Sequence, residues 1–378
     1  MVSAAVSRRR FLRDAAVAGA AAAGTVAGGW AMRPFAAAGA ATVRVAVVPP
    51  SFGQGLSASW LNGLRLAFAG APAVVVDTAA PALGSLQVAA ASRRLALAGA
   101  DIIVGAVTPQ GARDVARALR GTPALFLNAE PGAQILRPGD YEANVFHHTL
   151  HLWQANYATG VWAAQAIGSR AATLSAYLES GYDTVAAFAM GFTAGGGQIT
   201  GETVSHVPGR SQTVNEVLAG LQAGQPDFVY INASGARAEE LLEAAPRALA
   251  APFARAAGQP DAAFSRAYSQ ANGTPADAFA LLGYEAGSLI LAAREHSRHS
   301  GDDLRAGLAE ASFDSPRGML RMDRGSHAST AEAYVDRAGA ALPWLAKVSE
   351  PVALAHAGWE QAVSGWSLPY ATVINRKA

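Results

Sequence analysis

ADIIVGAVTPQGARDVARALRGTPALFLN, residues 100–128, sets a short apolar run, a helix-forming stretch and a second apolar run in line. DIIVG (101–105) has no alternation of apolar and polar residues and is too short for a helix, so it predicts a strand buried on both faces. PQGARDVARALRG (109–121) predicts a helix, with Pro109 suited to the first helical position. PALFLN (123–128) predicts the next strand. Continuous apolar runs separated by helices imply a parallel sheet covered on both sides.

The same alternation runs outward in both directions. Upstream lie a strand at TVRVAVV (42–48), a helix at 57–70, a strand at AVVVD (73–77) and a helix at 83–99. Downstream, a helix over 151–168, a strand over 171–178 and a helix over 182–196 begin a second set. A weak strand near 198–206, a helix near 212–223 and a strand at DFVYINAS (227–234) continue it. Residues 236–300 read as almost all helical, broken at GQP (258–260) and NGTP (272–275). The tail carries strand-like GMLRM (318–322) and SLPYATVIN (367–375), with helical pieces between. Two successive sets of this kind predict an α/β protein of two doubly wound parallel-sheet lobes rather than one barrel. A length of 378 residues, above the usual size of one core, agrees with two domains.

Residues 1–40 stand outside this pattern. SRRRFLRD (7–14), then an Ala- and Gly-rich apolar stretch and small residues, have the order of a secretory signal. Arg8-Arg9 followed by Phe11-Leu12 resembles the twin-arginine signal; a membrane anchor with so weak an apolar run would span poorly. Without this segment 24 basic and 27 acidic side chains remain, a net charge of about −3. Only two lysines exist, Lys347 and Lys377, and no basic run survives, so nucleic acid is not an expected partner. The chain has no cysteine, which excludes disulfides, thiolate metal sites and a cysteine nucleophile. There is no G-x-S-x-G elbow, H-E-x-x-H or P-loop, so no catalytic residue, cofactor or metal is assigned and no enzyme is expected.

Several phrases resemble the type I periplasmic binding proteins, in particular the branched-chain amino-acid-binding branch that feeds ABC importers. They are ADIIVGAVTPQGARDVARAL (100–119), TPALFLNAEPG (122–132), YLESGYDTVAAFAMGFTAGGG (177–197), PADAFALLGYEAGSLILAAREH (275–296) and SFDSPRGMLRMDRGSHAST (312–330). The resemblance implies two lobes joined by a three-strand hinge. Lobe one would be 42–148 with 278–328, and lobe two 149–277 with 329–378. It further implies a periplasmic monomer, with a small-molecule ligand held between the lobes at the carboxyl ends of the strands. An ABC permease in the inner membrane would be the partner. The alternative is a ligand-sensing subunit of the same fold serving a membrane receptor or regulator.

Candidate ligand-binding residues follow from the strand-end loops and the resemblance together. Thr108 opens the helix after DIIVG, as its cap or as a hydroxyl for a carboxylate. Asn128, Ala129 and Glu130 stand where amino-acid-binding relatives have serine and threonine; Glu130 is either a partner for a cation or a solvated loop acid. Tyr182 matches an aromatic that stacks on ligand in relatives, with interlobe packing as the alternative. Asn232 and Ser234 follow a lobe-two strand, and Trp60 is either a wall of the site or core. In FHHTLHLW (146–153), His147 and His148 are hinge-side ligand candidates; His147 and His151 would be one turn apart if helical, but no acidic partner lies near them for a metal. Gly195-Gly196-Gly197 follows a helix, the wrong end for phosphate. Between 236 and 275 the strand and loop that supply an ammonium-binding acid in relatives look absent. With so few hydroxyls at 107–130, the expected ligand is not an ordinary amino acid but a less polar or aromatic compound.

Overall fold

The computed structural model describes residues 42–346 apart from 52–54, 72–73, 83, 135, 137–140, 178, 234, 246, 251–261, 301–302, 331–332 and 338–339. The signal reading at 1–40, the strand expected at 367–375 and Ser234 therefore lie outside the described residues.

The chain divides into two compact units. Among the described residues, the first takes 42–131, 136–150 and 262–330, and the second takes 132–134, 151–250 and 333–346. Helix 262–272, assigned to lobe two from the sequence, thus belongs with the first unit.

In the first unit, β1 (Val43–Val47), α1 (Leu56–Phe68), β2 (Val74–Thr78), α2 (Ser85–Leu97), β3 (Ile102–Gly105), α3 (Pro109–Ala118), β4 (Leu125–Glu130) and β5 (Val145–Thr149) build one parallel sheet of order β2-β1-β3-β4-β5. β3 and β4 pair from Ile102 with Leu125 to Gly105 with Asn128, as expected for buried parallel strands. On one face Ala46, Val48, Ile103 and Phe126 pack on Val88 and Leu95 of α2, on Val115 of α3 and on Leu119 at its carboxyl end.

In the second unit, α4 (Leu152–Ala166), β6 (Arg170–Ala176), a 3₁₀ turn (Glu179–Gly181), α5 (Thr184–Ala194), β7 (Gln198–Ser205), α6 (Val214–Gln222), β8 (Phe228–Asn232), α7 (Gly235–Ala244) and β9 (Ala248–Ala250) form a second parallel sheet, β7-β6-β8-β9. Strand alternation splits its core in two. Ala172, Leu174, Val229 and Ile231 face α6 and α7, while Ala171, Phe228 and Tyr230 face Phe188 and Phe192 of α5. Two-sided burial of this kind is the doubly wound arrangement read from the sequence.

The chain re-enters the first unit with α8 (Ala262–Asn272), α9 (Ala278–Ser300) and α10 (Leu304–Ala309). It then forms an antiparallel ribbon of β10 (Ser312–Ser315), β11 (Gly318–Met322) and β12 (Ser329–Thr330). A last ribbon, β13 (Ala333–Arg337) with β14 (Ala340–Ala346), belongs to the second unit.

Both units contain a helix pair in backbone contact. A Cβ on Gly63 of α1 would stand 1.9 Å from the Ala280 carbonyl oxygen of α9, and one on Gly283 would stand 1.9 Å from that of Trp60. In the second unit a Cβ on Gly191 of α5 would lie 2.0 Å from the Tyr157 oxygen of α4. Only glycine permits these approaches.

Three expectations are corrected. β9 occupies 248–250, where unbroken helix and a missing strand were expected; Ala-Leu-Ala carries no strand signal of its own, and parallel pairing with β8 decides it. Residues 145–149, not assigned in the sequence, form β5, so His147 and His151 are not one helical turn apart. The helical pieces expected after 322 are antiparallel strands at 333–346, where Pro343 sits opposite the register shift of the ribbon.

Candidate functional site

In doubly wound sheets, ligand sites form beyond the carboxyl ends of strands where the strand order reverses. In the first unit that point lies between β1 and β3, and in the second between β6 and β8. Thr108 follows β3. Tyr182 follows β6, and Asn232 ends β8.

Thr108 is exposed and caps α3, its Oγ1 accepting from the Gly111 N–H at 3.1 Å, with Pro109 as the first helical residue. Behind it stands Asn128, fully buried at the end of β4. Its Oδ1 accepts from the Val107 N–H at 2.9 Å and its Nδ2 donates to the Val107 carbonyl at 3.0 Å. Asn128 thus grips the backbone of the loop that presents Thr108.

The second unit repeats the device. Asn232 is fully buried; its Nδ2 donates to the Glu179 carbonyl at 3.2 Å and lies 3.4 Å from Ser175 Oγ, while its Oδ1 accepts from Thr184 Oγ1 at 3.2 Å. These bonds fix the turn whose next residue, Tyr182, is 42% exposed. The Tyr182 N–H donates to the Glu179 carbonyl, and the Asp183 N–H to the Ala133 carbonyl. Each unit thus carries one exposed side chain on a loop held from behind by a buried asparagine.

The other candidates take different places. Ala129 is fully buried, and Glu130 ends β4 at 8% exposure, so it is not a solvated loop acid. Trp60 is fully buried on α1 beside the crossing with α9, the core alternative of its sequence reading. His147 and His148 lie next to each other on β5, both buried. His147 packs beside Asn128; burial, reinforced by the nearby His327, lowers its pKa to about 3. The ring is neutral in the folded protein.

His148 joins a buried network that the sequence reading missed. Arg317 donates through Nε and Nη2 to both carboxylate oxygens of Glu285 on α9, each at 2.9 Å, and through Nη2 to the Thr149 carbonyl at 2.9 Å. Ser315 donates to the same carboxylate. His148 Nε2 is 3.2 Å from Glu285 Oε2, in contact but off hydrogen-bond alignment, and its Nδ1 is 3.0 Å from Ser329 Oγ. Burial by itself would raise the Glu285 pKa; the Arg317 charge and the His148 contact outweigh it and hold the carboxyl at about 2. Burial lowers the His148 pKa against the pull of Glu285, so we take Arg317 as the cation that keeps Glu285 ionised. A single Glu within the apolar run FALLGYEAGSLILAA was the available signal, because a buried charge requires a partner.

Among the described residues no group of three metal-binding side chains occurs, and no helix is long and apolar enough to cross a membrane.

The family profile for periplasmic binding proteins matches residues 42–249. No curated protein matches the chain by sequence. Among solved structures, the chain is similar to an ABC-transporter solute-binding protein from R. palustris in complex with benzoate (21% identity, 81% of this chain and 96% of that one, TM-score 0.62). It is similar to another from Rhodopseudomonas palustris BisB5 with 3,4-dihydroxybenzoic acid (19% identity, 78% and 93%, TM-score 0.60). A third is a leucine-, isoleucine-, valine-, threonine- and alanine-binding protein from Brucella ovis in its closed conformation (17% identity, 80% and 94%, TM-score 0.60). With more than half its length matched and the two-lobed doubly wound fold in place, the chain belongs to the periplasmic binding protein family, of type I.

Proposed function

We propose that this protein is an exported, monomeric solute-binding protein that captures a small aromatic acid and delivers it to an ABC importer in the inner membrane. The observation that carries the reading is the pair of exposed side chains, Thr108 and Tyr182, each on a strand-end loop fixed by a buried asparagine. Thr108 opens a ten-residue helix, whose first-turn N–H groups and dipole favour a carboxylate. Tyr182 offers an amphipathic ring suited to stacking on an aromatic body. Solved structures similar to this chain include complexes with benzoate and 3,4-dihydroxybenzoic acid, which supports the same class. Asn128 and Asn232 act by holding the two loops. The twin-arginine-like segment at 1–40 supports export to the periplasm. The absent-strand argument for a non-amino-acid ligand does not stand, since β9 is present; the loop after it lies outside the described residues.

A thermal-shift panel of benzoate, hydroxybenzoates, phenylalanine and leucine tests the class, because a ligand at about 100 times its Kd adds about 2.7 kcal/mol to the state that binds it. A rise in melting temperature with the aromatic acids is expected. A rise with leucine alone refutes the ligand class.

A further inference from the structure

His147 carries one polar atom that the fold leaves open. The ring is 1% exposed, on β5 directly opposite Asn128 of β4, and among the described residues its Nε2 has no hydrogen-bond partner. The protonation of that atom follows from its neighbour. The Asn128 amide has one orientation only, because reversing it would set its NH₂ against the Val107 N–H and its oxygen against the Val107 carbonyl. Nδ2 therefore faces His147 Nδ1, at 3.4 Å. An N–H directed at that ring atom requires a lone pair on it, which puts the single proton of the neutral ring on Nε2. The result is a neutral, buried N–H with no acceptor among the described residues, with β4 between its strand and the strand whose loop presents Thr108. Native proteins seldom leave such a donor open unless a water or a bound molecule completes it.

We propose that His147 Nε2–H is a fixed, uncharged donor to an oxygen of the bound solute, with Asn128 as the positioning residue that sets its tautomer. This rests on the reading of the protein as a binder of small aromatic acids, and it deepens that reading. A neutral donor accepts a carboxylate or carbonyl oxygen, and an ammonium group set against it has no acceptor to meet. The position suits the acid end of a solute. Because the ring is neutral throughout, its contribution to affinity does not vary with pH near neutrality.

The test uses the full chain after removal of the signal segment, with ¹⁵N-labelled histidine and benzoate as probe. Two-bond ¹H–¹⁵N spectra of the free protein are expected to show His147 with its proton on Nε2 and no titration between about pH 5 and pH 8. Benzoate should shift that Nε2–H resonance. His147→Phe should weaken benzoate binding by about tenfold, the effect of one lost hydrogen bond to a charged group, whereas His147→Gln, which restores an N–H, should recover part of it. A proton on Nδ1 in the free protein overturns the proposal whatever ligand is bound. So does an Nε2–H resonance that saturating benzoate leaves unmoved, or a His147→Phe variant that folds and binds benzoate as the wild type does. Should the wild type bind leucine but no benzoate, the aromatic-acid reading fails. The same resonance read on leucine then decides His147: a shift sustains the donor role and its absence overturns it.

Discussion

Arg317→Met tests the buried network directly. Both side chains of the Arg317–Glu285 pair are fully buried and joined by two bonds of 2.9 Å. Removing the guanidinium leaves the carboxylate, among the described residues, with the Ser315 hydroxyl and the neutral His148 as polar contacts, and takes one donor from the Thr149 carbonyl. Breaking a buried pair from one side costs about 3–5 kcal/mol, while replacing both partners by apolar groups is often close to neutral. We therefore expect Arg317→Met to lose several kcal/mol and Glu285→Leu with Arg317→Met to recover more than half of it. The pH dependence has a definite sign. In the wild type the Glu285 pKa is depressed to about 2, so its stabilisation is present above the unfolded value near 4.5 and is lost as pH falls toward 2. In Arg317→Met, burial acts without the cation and raises that pKa, so protonation stabilises the variant and the gap to wild type narrows as pH falls from 7 to about 4. Urea unfolding at several pH values reads the stability. Amide exchange at β5 assigns the loss to the first unit, since two units need not unfold in one step. A single variant losing less than about 1 kcal/mol, or a gap that widens on acidification, would refute the reasoning.

Further expectations can be checked with the same material. His147 has a folded-state pKa of about 3 against 6.5 unfolded, so the unfolded chain takes up a proton first, and stability falls by about 1.4 kcal/mol per pH unit below about 6.5. His147→Gln should reduce that slope by one proton's worth in urea titrations from pH 7 to 4. Gly63→Ala and Gly191→Ala should each destabilise by about 1–3 kcal/mol or more in thermal melts, because the new methyl meets backbone at 1.9 and 2.0 Å. Gly220→Ala, exposed on α6 with open space around it, should stabilise by up to about 1 kcal/mol. Asn232→Ala should speed amide exchange at Tyr182 and weaken ligand binding without moving the β8 core; unchanged exchange would show that the turn holds by itself.

The lobes were legible because each interior strand is a short apolar run, and because the helices between them carry their own end signals, such as Thr108 with Pro109. β5 was not, since VFHHT places two histidines in a strand whose burial is supported from elsewhere: Asn128 on β4, Glu285 on α9 and Ser329 on β12. β9 is three residues long with no propensity to separate it from helix. The exposed pair Thr108 and Tyr182 could be read from loop position. The asparagine clamps could not, because each joins backbone some 21 or 53 residues away and depends on sheet register. The Glu285 partner lies 32 residues off in SPRG, a phrase that shows its chemistry only once the turn is folded against α9.

The proposal's central claim is that the protein holds a small aromatic acid and that Tyr182, on a strand-end loop of the second unit, contacts it. Calorimetric titration of benzoate and 4-hydroxybenzoate into the wild type and Tyr182→Ala tests it most directly. The account predicts one site per chain in the wild type and a loss of about 0.5–1.5 kcal/mol or more in Tyr182→Ala, the usual worth of an aromatic contact. No heat with either acid, or equal affinity in the two proteins, would contradict it.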